Sequence, residues 1–197
     1  MRRVWGDETK AEPIAEPRSM YPEQPKLTVE TTDNHVYFYA DVDTDRCLAL
    51  IKNLRELDAR LRNEYVTRML PKGFPAMPIW LHIQSDGGEL FTGLNIAEQI
   101  RTIRTPIYSI VEGYVASAAT LISMACTRRY ILPSALMLIH QLSAFAWGRY
   151  EAIKDDVHML DMAMEALVGF YMARSRMPEA DVRALLKHES WFSAKEC

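Results

Sequence analysis

Three short apolar segments alternate with stretches of helical spacing, and this alternation restricts the chain to very few folds. HVYFYA (residues 35 to 40), IWLHIQ and TPIYSIV read as strands, the second as a buried one that ends at SDGG. Between the first two, Thr44 can cap a helix running to about Tyr65, with Leu48, Ile51, Leu54, Leu57 and Leu61 spaced for one apolar face. The proline-rich stretch TRMLPKGFPAMP is expected to be a loop, extending the break over about Asn63 to Pro78. The glycines of SDGG open a second helix, whose apolar positions Leu90, Leu94, Ile96, Ala97 and Ile100 carry it to about Ile103. A small-residue turn, GYVAS, leads into the helix AATLISMA. RYIL and ALMLIH then supply two short strands around a turn at Pro133 and Ser134, the second ending at His140. A long helix from Arg149 to about Met172 and a shorter one from Pro178 through Lys187 complete the pattern. Repeated strand and helix units predict an α/β architecture with parallel strands, in which function gathers at loops after the carboxyl ends of the strands.

Charge and composition remove several classes of partner. A net charge of −3 gives no general attraction to nucleic acid or to an anionic membrane, and no run approaches the roughly 20 apolar residues that span a bilayer. The start, MRRVWGDETKAEP, has charge where a signal peptide needs an apolar stretch, so a cytoplasmic location is expected. Residues 1 to 30, broken by Pro13, Pro17, Pro22 and Pro25, read as a flexible arm, and residues 31 to 197 as one domain. Cys47, Cys126 and Cys197 match no zinc spacing or disulfide framework and read as reduced thiols, two of them buried.

The chemistry lies at three consecutive strand ends. A serine hydroxyl is a poor nucleophile at neutral pH unless a base takes its proton, and a neutral imidazole is the usual base. Ser117 in GYVASAAT and His140 in ALMLIHQ supply that pair, with activity that rises as the imidazole loses its proton. Ser117 precedes a helix, so the backbone N–H of Ala118 is free to stabilise an oxyanion. Gly87 and Gly88 let a substrate approach the main chain, and their N–H groups offer the second donor. Taken singly, such a serine is more often a helix cap, such a histidine a core residue, and two glycines a plain turn. Their joint placement is what points to a serine hydrolase.

HIQSDGG, EGYVASAAT and RRYILPSALMLIHQ, in that order, resemble the glycine loop, the nucleophile segment and the histidine segment of the Clp protease proteolytic subunit, a family of the wider crotonase-like superfamily. The helix after AWGRY resembles that family's protruding handle helix, and HESWFSAKE the segment that carries its third catalytic residue. The resemblance runs from about His35 to the end. It implies Ser117 as nucleophile, His140 as general base and then acid, Glu189 where the family usually has aspartate, and the amides of Gly87 and Ala118 as oxyanion hole. On the residues alone, Asp161, Glu165 or Asp181 compete with Glu189. The resemblance further implies a homo-oligomer of stacked heptameric rings and a peptide or unfolded protein as substrate. It implies no cofactor in this subunit; ATP is consumed only by a partner unfoldase of the Clp AAA+ type.

The departures set the alternatives. Asp86 replaces the family's proline, and an acid pointed into the oxyanion hole disfavours an anionic transition state. Ala118 and Ala119 replace its methionine and glycine, and relatives continue past SAKEC through a turn and another strand. A non-catalytic ring or scaffold subunit is one alternative, and a viral head-maturation protease on the same fold is another. Acyl-CoA chemistry is disfavoured, because crotonase enzymes use the oxyanion hole without a serine and histidine pair. In the long helix, Met159, Met162, Met164 and Met172 are either core or adaptable interface, and Arg128 and Arg129 read as a solvated edge.

Overall fold

The structure, a computed structural model, describes residues 29–68 and 77–197. The arm expected over residues 1 to 30 therefore lies outside the described residues except at its end, where Val29 and Glu30 already belong to a strand. Among the described residues one seven-stranded sheet carries five helices, in the α/β arrangement the alternation predicts.

β1 (Val29–Thr32) and β2 (His35–Tyr39) form an antiparallel hairpin. β2 lies parallel to β3 (Ile79–Ser85), and β3 parallel to β4 (Ile107–Ala116). β4 is ten residues long and is shared along its far side by two parallel strands. Its first half pairs with β5 (Arg128–Ile131), and its second half with β6 (Leu136–Ile139). β7 (Ser190–Ser193) closes the sheet antiparallel to β6. The sequence reading ended β4 early, taking GYVA as a turn. The strand instead passes through Gly113 at φ 61°, where the register against β3 shifts between Ile83 and Ser85. A Cβ at Gly113 would lie 2.8 Å from the Gln84 side chain, so glycine lets the strand bend there without breaking.

α1 (Thr44–Thr67) starts from Asp43, whose side chain accepts the Arg46 N–H at 2.8 Å. It runs past Asn63, so the first residues of the predicted loop are helical, and residues 69–76 of that stretch lie outside the described residues. Its buried stripe is Cys47, Leu50, Ile51, Leu54 and Leu57; Leu48, expected on that face, is 48% exposed. α2 (Leu90–Thr102) and α3 (Ala119–Ala125) pack on the same core as Val36, Phe38, Leu81, Ile83 and Val111. They meet at Gly93, where a Cβ would come within 3.1 Å of the Ala118 carbonyl, so the glycine lets the two helices approach closely. α4 (Tyr150–Arg174) buries Ala163, Leu167, Val168, Phe170 and Tyr171 in its second half. Its first half projects from the body, with Val157, Met159 and Met162 exposed, as do Phe145 and Trp147 just before it. α5 (Glu179–Leu186) returns the chain to β7.

Cys47 and Cys126 are buried and Cys197 is exposed, all three as free thiols. Burial pushes the Cys47 and Cys126 thiols up to about 12, which keeps them protonated and inert. No helix among the described residues is long and apolar enough to cross a membrane.

Candidate active site

β4 and β6 run parallel, so their carboxyl ends lie side by side, and the two residues that chemistry singles out follow those ends directly. Ser117 comes one residue after β4 and His140 one residue after β6. Ser117 has φ 54°, a left-handed conformation that costs a non-glycine residue about 1 kcal/mol and persists only where neighbours enforce it. Its N–H donates to the Leu138 carbonyl at 2.9 Å, and its carbonyl accepts the Thr120 N–H at 3.0 Å. The strand thus turns sharply into α3 at the serine, leaving the side chain partly exposed at the apex.

The glycine loop abuts this elbow. Gly87 has φ 98°, and a Cβ there would sit 2.6 Å from the Ser117 Cβ, 2.7 Å from the Ala116 carbonyl and 3.1 Å from the Ala118 nitrogen. Gly88 has φ 144°, and a Cβ there would collide with the Val42 carbonyl. Two main-chain bonds hold the loop against the segment after β2: Val42 N–H to the Gly87 carbonyl at 2.7 Å, and Glu89 N–H to the Val42 carbonyl at 2.8 Å. The Gly87 N–H donates to the Ser85 hydroxyl at 3.1 Å, whereas the Gly88 amide enters none of these bonds.

Ser117, Ala118, His140 and Gly88 border one cleft of about 180 Å³, which Leu121, Leu167 and Tyr171 also line. Gly87 is not among its lining residues. Gly87 thus makes the close packing possible, and Gly88 borders the cleft. Among the described residues neither the Ser117 hydroxyl nor the His140 ring makes a hydrogen bond.

Glu189 is exposed, and its carboxylate makes no hydrogen bond or ion pair among the described residues. Its place in the sheet is nevertheless specific. Ile139 and Ser190 are partners in the antiparallel β6–β7 ladder, so one further step in register sets His140 across from Glu189. Beyond that step the strands diverge, the Gln141 N–H turning to the Leu186 carbonyl at 2.8 Å. The competing acids are placed otherwise. Glu165 is held by Arg183 at 2.6 Å, which lowers its affinity for a proton, and Asp161 and Asp181 are solvent-exposed side chains that do not line the cleft.

Asp86 does not enter the cleft either. The Tyr114 hydroxyl donates to its carboxylate, and that bond raises the Tyr114 phenol above its ordinary value. The Asp86 carboxylate is thus engaged by a side chain of β4.

Two residues near Ser117 escaped the sequence reading. The Thr120 hydroxyl lies 2.6 Å from the Ser117 carbonyl and 2.5 Å from the Tyr171 hydroxyl. Tyr171 is 5% exposed, and burial pushes its phenol up to about 12. No sequence signal connects positions 51 residues apart.

The chain is an α/β protein whose sheet sets a strand–serine–helix elbow beside a double-glycine loop and a histidine at the next strand end. The comparisons with known proteins agree with that class. The family model described as Clp protease matches residues 32–197, and the chain belongs to that family. Among its relatives is the ATP-dependent Clp protease proteolytic subunit 2 of Treponema denticola, 31% identical over 121 residues, 60% of either chain. Proteolytic subunit 1 of Chlamydia caviae is 25% identical over 126 residues, covering 62% of this chain and 66% of that one. Proteolytic subunit 1 of Protochlamydia amoebophila is 26% identical over 126 residues, 62% of this chain and 61% of that one. The chain thus spans roughly three fifths to two thirds of the length of the relatives it matches.

Proposed function

We propose that this chain is the proteolytic subunit of a Clp-type, ATP-dependent serine protease and cuts peptide bonds through an acyl-enzyme at Ser117. The observation that carries this reading is the strained Ser117 elbow, which shares a cleft with His140 and faces the glycine loop. In the acylation step the Ser117 oxygen bonds to the peptide carbonyl carbon as its proton passes to His140. The imidazolium then gives that proton to the leaving amine as the C–N bond breaks. Water repeats the sequence to release the acyl product, with His140 again base and then acid. The developing oxyanion is received by the amides of Ala118 and Gly88. Gly88 takes the place first given to Gly87, because the Gly87 N–H is engaged by Ser85. Glu189, across the ladder from His140, orients the imidazole and favours its charged form.

Assembly into stacked heptameric rings is supported by the projecting half of α4. Val157, Met159 and Met162, with Trp147 at 87% exposure, form apolar surface that no other part of the described chain covers. A homo-oligomer buries it; a cytoplasmic AAA+ unfoldase supplies unfolded substrate and uses the ATP, and this subunit needs no cofactor. Val157→Glu is expected to shift the sedimentation coefficient from a large assembly to smaller species, while the circular dichroism spectrum stays that of the folded chain. An unchanged sedimentation profile removes α4 from the interface.

One observation favours a second reading, a non-catalytic ring subunit: the Ser117, His140 and Glu189 side chains are not hydrogen-bonded to one another in the single chain. Catalytic contacts are commonly loose before substrate binds, so the two readings separate by reactivity. A fluorophosphonate probe is expected to label the assembled protein, and peptide mapping to place the adduct on Ser117. Folded, assembled protein that takes no label establishes the non-catalytic reading instead.

A further inference from the structure

The carbonyl of Ser117 accepts two hydrogen bonds from one residue, the Thr120 N–H at 3.0 Å and the Thr120 hydroxyl at 2.6 Å. A threonine hydroxyl has a single proton, and the carbonyl can only accept, so that proton is committed to Ser117. The contact at 2.5 Å between the Thr120 and Tyr171 oxygens must then carry the tyrosine proton. The order of donation is therefore fixed, from Tyr171 on α4 to Thr120 on α3 to the main chain of the nucleophile. Burial holds the Tyr171 phenol up to about 12, so it remains a donor at neutral pH.

We propose that Thr120 and Tyr171 are positioning residues for the reaction at Ser117, acting through this hydroxyl relay. The inference rests on the peptidase reading above. The N–H of Ser117 is already tied to β6 through Leu138; the relay ties its carbonyl to α3 and α4. Between the two attachments the peptide units on either side of Ser117 cannot rotate, and this sets the direction of the hydroxyl at a left-handed φ. Docking of α4 does not need the phenol oxygen, because Leu167, Val168 and Phe170 already bury that stretch of the helix. The relay ends on the nucleophile's own carbonyl, and the Tyr171 ring lines the same cleft.

The test uses the full-length, assembled protein as wild type, Tyr171→Phe, Thr120→Val, Thr120→Ser and the Tyr171→Phe/Thr120→Val pair. Fluorophosphonate labelling rates are expressed per folded chain, and kcat and KM are measured on a short peptide. Tyr171→Phe and Thr120→Val are each expected to slow labelling and kcat about tenfold, the equivalent of one hydrogen bond, with KM little changed. Thr120→Ser keeps the hydroxyl and is expected to restore most of the rate. The paired variant is expected to be no slower than the slower single one, since both substitutions interrupt the same chain. Wild-type labelling rates in Tyr171→Phe and Thr120→Val overturn the relay while leaving Ser117 as nucleophile, and so do losses that multiply in the pair. If Ser117 in the wild type takes no label, the peptidase reading fails and the positioning role fails with it.

Discussion

Ser117→Ala is expected to reduce turnover of a short peptide by about 10⁴-fold or more and to abolish fluorophosphonate labelling. The substitution removes only the oxygen. The bonds that fix the elbow remain: the Ser117 N–H still donates to the Leu138 carbonyl, and the Thr120 N–H and hydroxyl to the carbonyl of residue 117. Folding and assembly should therefore survive, and thermal melting and sedimentation are the controls that separate lost chemistry from lost structure. His140→Ala is expected to fall to a similar rate. The combined variant should be little worse than either, because nucleophile and base act as one unit. A Ser117→Ala protein that keeps more than a few per cent of wild-type turnover on the same peptide would show that another group carries the reaction.

What the sequence made legible divides along physical lines. IWLHIQ and ALMLIH were readable as strands because strands buried between other elements are nearly continuous apolar runs. Edge strands lack that signature. β1, VETT, is mostly exposed, and β7 is four residues long; both depend on a partner strand, information that periodicity does not hold. The length of β4 was missed for a related reason. Gly113 resembles a turn locally, and only its contact with Gln84 on the neighbouring strand shows that the bend stays within the sheet. On α1, Leu48 and Leu50 are equally apolar, and the direction of the core alone decides that Leu50 is buried and Leu48 is not. At the site, Ser117 and His140 stand out in the sequence because few residue types can serve as nucleophile and base, and the fold brings both to one cleft. The direction of Asp86 towards Tyr114, the donation of Gly87 to Ser85 and the link from Tyr171 to Thr120 all depend on orientations set by tertiary packing.

Gly87→Ala is expected to damage both the stability of the protein and the geometry of the site. Two penalties coincide there. At φ 98° an L-residue is strained even in open space, which costs about 1–3 kcal/mol. The added Cβ also meets the Ser117 Cβ at 2.6 Å and the Ala116 carbonyl at 2.7 Å, and neither is the movable end of a long side chain. Either the glycine loop retreats from the elbow, or Ser117 is displaced. A retreat strains the Val42 bond to the Gly87 carbonyl and carries Gly88 away from Ala118. Both responses separate groups that must converge on one carbonyl, and a misplacement of about 1 Å is enough for a loss on the order of 100-fold in rate. The expected outcome is a stability loss of about 2–4 kcal/mol, from the backbone strain and the overpacking together, with turnover reduced by about 100-fold or more in the fraction that remains folded. Chemical denaturation measures the first, and active-site titration with the fluorophosphonate probe the second. Gly93→Ala is the instructive contrast. It lies within α2 without a positive φ, and a Cβ there would lie 3.1 Å from the Ala118 carbonyl and from the Leu121 methyl, so its neighbours need give only a few tenths of an ångström and the expected loss is smaller than at Gly87. If Gly87→Ala melts and labels like the wild type, the close packing of the loop against Ser117 does not govern the geometry of the site.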